Sequence, residues 1–199
     1  MPHDWRESLR LAADLALLGI VVTLLSLPLL TAGAAVATGS HAIRHLIAHG
    51  RWPSLADCWA VFRRRLVPGL IAGPAVALGS ALLLIDIAAL RRGAVPGGGP
   101  VLTLVLAIGA LAAGYVALVA VEAGTLPPGT RRPGAARSAF ALAWARPVVP
   151  LAAAGVLAVV AVLALLVHPA LVPVLAGYAL FALHVVTPKV AGPRLTRAA

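Results

Sequence analysis

Pro28 divides two apolar segments near the start of the chain, and this junction constrains the architecture of everything before residue 50. An apolar run from Leu11 to Leu27 reaches Pro28, and proline cannot continue a helical hydrogen-bond ladder, so the run stops or bends there. A second segment begins at Leu29. A hydrocarbon layer of ~30 Å needs about 20 helical residues to cross it, and the two segments together predict a transmembrane hairpin over 11–47. Beyond Pro28 the side chains turn small, with Thr31, Gly33, Ala35 and Gly39 exposing little beyond their backbones. Such a face lets a neighbouring helix approach closely in lipid, so this stretch reads as a packing element.

The rest of the chain is of the same kind. It is 61% hydrophobic and 11% charged, with a mean hydropathy of +1.00, more apolar surface than a soluble core of 199 residues hides. Further apolar runs predict spans at 66–90, 101–123, 148–167 and 170–187. None shows the strict alternation of a membrane barrel, and lipid-exposed backbone must bond within its own segment, so the spans are helices. The expectation is an all-α polytopic transmembrane bundle, one membrane domain over 1–199, with six helices. The alternative has five, the segment 29–47 then failing to cross.

The charge of +10 is placed between the runs. With six spans, all 16 Lys and Arg residues except Arg91 and Arg92 lie on one side, which the positive-inside rule makes cytoplasmic together with both termini. With five spans, Arg6 and Arg10 would join those two outside. No groove of interleaved aromatic residues accompanies the basic clusters, of which Arg131 and Arg132 form one, so nucleic acid is not the partner they indicate. A cleaved signal peptide is disfavoured by the length of the first apolar run and by Asp4, Glu7 and Asp14 beside it.

One connection carries an amphipathic helix, expected at 54–65 on the cytoplasmic surface. Ser54 with Asp57 three residues on resembles a capping box. Leu55, Cys58, Trp59, Phe62 and Leu66 then share a face, while Arg63, Arg64 and Arg65 lie mostly away from it and can reach anionic lipid head groups. A shorter amphipathic piece with Phe140 and Trp144 precedes the fifth span. Phe62, Arg64 and Pro68 align with Trp144, Arg146 and Pro150 at constant offset, which predicts two related units behind the first hairpin.

The order of features from Leu11 to Ile87 resembles the YesL-like family of bacterial integral membrane proteins. The residues that carry the likeness are the apolar first helix, P28-L-L-T31-A-G33-A-A35, a polar helix end followed by Gly50, the aromatic pair Trp59 and Phe62, and a long span ending near Asp86. The resemblance implies a multi-pass protein of the bacterial cytoplasmic membrane with no assigned chemistry, in a family often encoded beside carbohydrate uptake systems. It supplies no catalytic residue.

Reactive constellations are sparse. His41, His45 and His49 recur at i, i+4 and i+8, a spacing at which adjacent pairs suit Zn²⁺, Ni²⁺ or Cu²⁺. The competing reading, that polar side chains belong where the second segment leaves the bilayer, is preferred, and no metal is assigned. Cys58 stands alone and is read as a reduced packing residue. Asp14, Glu122 and His184 fall near the cytoplasmic ends of their spans and form a candidate polar cluster; interfacial pairing with arginines is favoured over a proton or substrate relay. Gly69 and Gly73 form a GxxxG pair, read as packing within the bundle ahead of a face for a homo-oligomer. No nucleophile with a base and no phosphate-cradling loop stands out, and no cofactor is expected. The function expected is therefore a non-enzymatic accessory or regulatory one, beside another membrane protein such as a carbohydrate importer, with a small-solute transporter as the alternative.

Overall fold

The computed structural model describes residues 5–92, 98–125, 134–166 and 171–192; Arg131, Arg132 and the basic residues beyond 192 lie outside them. The described residues form seven helices and no strand: α1 Trp5–Ser26, α2 Ala32–His49, α3 Leu55–Arg91, α4 Gly98–Thr125, α5 Ala135–Ala145, α6 Val148–Leu166 and α7 Val172–Ala191. Five carry stretches long and apolar enough to cross a membrane: Ser8–Ser26, Leu55–Arg91, Gly99–Gly124, Val148–Leu166 and Val172–Ala191. The chain is a multi-pass helical membrane protein.

The hairpin at Pro28 closes through a side chain. The last carbonyls of a helix have no partner within it, and Pro28 has no N–H to offer them. The Thr31 hydroxyl lies within hydrogen-bond distance of the carbonyls of Leu25 and Pro28, and the Thr31 N–H donates to Pro28 at 2.7 Å. At its far end α2 stops at Gly50, whose φ of 66° is left-handed, and whose N–H donates to the Leu46 carbonyl at 2.8 Å.

Among the helices long enough to cross, α2 alone is not apolar enough, because Ser40, His41, Arg44, His45 and His49 occupy its second half. It is nevertheless the central helix, packed against α1, α3, α4 and α7, with Ala34, Ala35, Ala37, Gly39, Ser40, Ala42 and Ile43 buried. A helix walled by its neighbours meets little lipid, so its sequence answers to packing and not to hydropathy. Its 18 residues give it a length of about 27 Å.

The surface helix expected at 54–65 and the span expected at 66–90 are one helix of 37 residues. Ser54 caps it as the sequence suggests: its Oγ accepts the Asp57 N–H at 3.1 Å and donates to the Asp57 carboxylate at 2.6 Å. At 1.5 Å per residue α3 is about 55 Å long, far more than the hydrocarbon layer requires, and its amphipathic start continues into the span without a break. Pro68 and Pro74 are accommodated inside α3. The second unit does break, at Arg146, which takes φ −147° and ψ 87° before Pro147. Proline drives the residue before it out of the helical region, and in the repeat alignment the first unit has Arg65, not proline, at that position.

The two units cross at matching places. In the first, Gly33 and Ala34 of α2 lie against Gly69 of α3; in the second, Gly114 of α4 lies against the Pro150 carbonyl of α6, with the same number of residues between contact points in both. Stacked aromatic pairs recur too, Trp59 with Phe62 and Phe140 with Trp144. Each unit has its own core, one around Ile43 and Phe62, the other around Leu118 and Val149, and α7 joins them through Leu180 and Leu183.

The first and last helices pair directly. Gly19 packs against the backbone of Pro173 and Gly177, and the Tyr178 hydroxyl donates to the Ala12 carbonyl at 3.0 Å. These contacts set α1 and α7 antiparallel, so the start of α1 and the end of α7 lie at the same end of the bundle.

Candidate functional site

Large side chains on α1 and small ones on α2 leave a groove that the start of α3 closes from the other side. Its floor is the α2 face of Ala35, Thr38, Gly39 and Ala42, residues at helical spacing with too little bulk to fill the space above them. One wall is α1, from Leu17 and Val21 to Leu25; the other is α3, with Cys58, Trp59 and Phe62. The cavity holds about 520 Å³, within the range of small-molecule sites. It is polar at one end only, where the Trp52 indole N–H donates to the Asp14 carboxylate at 2.9 Å. The sequence marks Asp14 but gives no sign of Trp52, because the partners stand 38 positions apart and meet only through the hairpin.

The groove contains Asp14 but neither Glu122 nor His184. His184 is buried on α7, where its Nδ1–H donates to the Leu180 carbonyl at 2.8 Å and its Nε2 has no partner. Ser40, fully buried on α2 against Gly124, likewise has an unpartnered Oγ. Glu122 is half-buried near the end of α4. Arg63 and Arg64 are exposed on α3, and Arg65 is half-buried.

The three histidines form a ladder along α2. The rings of His45 and His49 stack with centroids 4.3 Å apart, and those of His41 and His45 are 6.5 Å apart. His45 Nδ1–H donates to the Arg51 carbonyl at 3.0 Å, which ties the loop after Gly50 to the helix end. Among the described residues no three metal-capable side chains converge on one point.

Gly69 and Gly73 are both spent within the bundle. A Cβ on Gly69 would lie 2.6 Å from the Ala34 nitrogen, and one on Gly73 would run into the Leu29 carbonyl. Pro28, Thr31, Gly33 and Ala35 lie along the same junction, whereas Gly39 packs elsewhere, against Val22 of α1 and Leu180 of α7. The close contacts of Gly19, Gly114 and Gly177 are absent from the sequence reading, since a lone glycine in an apolar run carries no mark of which backbone will approach it.

No family model, no curated protein and no solved structure matches this chain.

Proposed function

We propose that the protein is a non-enzymatic accessory component of the bacterial cytoplasmic membrane, one that binds or regulates another integral membrane protein. The observation that carries this reading is α3: of its 37 residues only Phe62, Gly69 and Gly73 are buried, and Leu78, Leu82, Leu84 and Ile85 are all more than half exposed. That surface lies past the crossing with α2, where a helix of another protein can pack in place of lipid. The resemblance of residues 11–87 to the YesL-like family supports a carbohydrate importer as that protein. Purification from native membranes followed by mass spectrometry tests this, and a stoichiometric transporter partner is the expected result.

The second reading is a small-solute transporter, and the unpartnered Nε2 of His184 and Oγ of Ser40 in the bundle interior support it. Polar groups inside a membrane protein are costly and often mark a path. Solute uptake by the purified protein in liposomes would favour this reading over the accessory one.

A further inference from the structure

We propose that the groove between α1 and α3 holds one acyl chain of an anionic phospholipid, with the phosphate met by Arg10 and Arg51. This goes beyond the accessory reading and does not depend on it. From Asp14 to Leu25 the α1 wall is about 16 Å long at 1.5 Å per residue. The groove holds about 520 Å³ along that wall, room for one extended run of methylenes.

The polarity runs the same way. From Leu25 and Ala35 down to Leu17 and Cys58 the lining is almost wholly apolar, and only the exposed end carries the Asp14–Trp52 pair. Tryptophan at such a level is characteristic of the head-group region. Arg10 stands one helical turn before Asp14 on the same side of α1, and Arg51 adjoins Trp52; both are exposed. Two arginines at this end of the groove against one carboxylate that already accepts an indole N–H leave the mouth net positive, and guanidinium is the side chain best shaped to take a phosphate.

Native mass spectrometry of the detergent-solubilised protein, titrated with palmitoyl-oleoyl phosphatidylglycerol or the matching phosphatidylcholine, tests the proposal. One phosphatidylglycerol per chain should be retained in preference to phosphatidylcholine. Thr38→Leu raises the groove floor, and displacing even two methylenes of the lipid should weaken retention about tenfold. Cys58→Phe fills the groove from the other wall and should do the same, which covers the case in which Thr38→Leu does not fold. Arg10→Gln with Arg51→Gln should keep lipid binding and lose the preference for phosphatidylglycerol. Unchanged retention in both groove-filling variants overturns the proposal, as does a polypeptide found in the groove in place of lipid. Equal retention of the two lipids by the unmodified protein overturns the assignment of an anionic head group.

Discussion

Gly33 of α2 and Gly69 of α3 meet backbone to backbone: a Cβ on Gly33 would stand 2.8 Å from the Gly69 Cα and 2.9 Å from its carbonyl oxygen. Neither atom can move without moving a helix. Gly33→Leu should therefore cost about 3 kcal/mol or more, the upper range for overpacked sites, because no rotamer relieves a clash at Cβ. Leu165, 86% exposed on α6, provides the control, and Leu165→Ala should stay within about 0.5 kcal/mol. Thermal unfolding in detergent compares them. Equal melting of the two variants would remove this crossing from the architecture.

Much of this region was legible because Pro28 and the small residues after it act locally: one stops a helix and the others permit an approach. The helical class followed from the apolar runs for the same reason. What escaped was non-local. The fusion of 54–65 with 66–90 into α3 depends on the absence of proline at Arg65, a detail visible only beside Arg146–Pro147. Trp52 became a partner of Asp14 only once the hairpin folded. Hydropathy undervalued α2, since its surroundings are other helices and not lipid. The groove could not be read at all, because the small residues of α2 looked like packing on every side, and only the helices placed around them show which side stays open.

Trp52→Phe keeps the ring and removes the N–H that reaches Asp14. A hydrogen bond to a charged group contributes up to about 3 kcal/mol when sheltered, but Asp14 is exposed, so the expected loss is about 1 kcal/mol. Asp14→Asn keeps an acceptor oxygen and should cost less than Trp52→Phe. Melting temperatures that rank the two variants the other way round would mean that the carboxylate's charge matters, not this bond.

Thr31→Val is nearly isosteric and deletes the hydroxyl that serves the carbonyls of Leu25 and Pro28. The Pro28 carbonyl keeps the Thr31 N–H and the clasp is exposed, so the expected loss is that of one ordinary hydrogen bond, about 0.5–1.5 kcal/mol. Thr31→Ser restores the hydroxyl and should recover most of that stability. Hydrogen exchange across residues 24–32 should rise in the valine variant alone; equal exchange in both would show that the turn holds without the clasp.

The last prediction concerns how the bundle sits in the membrane. The contacts of Ala12 with Tyr178 and of Gly19 with Pro173 run α1 and α7 antiparallel, so the start of α1 and the end of α7 lie at the same end of the bundle. Arg91 and Arg92 close α3 at the end remote from Arg44 and Arg51, and they are the two basic residues that the six-span arrangement leaves outside. Reporters fused before α1 and after α7 should therefore both be cytoplasmic, and one inserted after Arg92 should be external. A five-span arrangement requires that the two ends differ. An external reporter before α1 with a cytoplasmic one after α7 would mean that α2 does not traverse the bilayer, and the antiparallel pairing of α1 with α7 would then have to form in some other way than between two crossing helices.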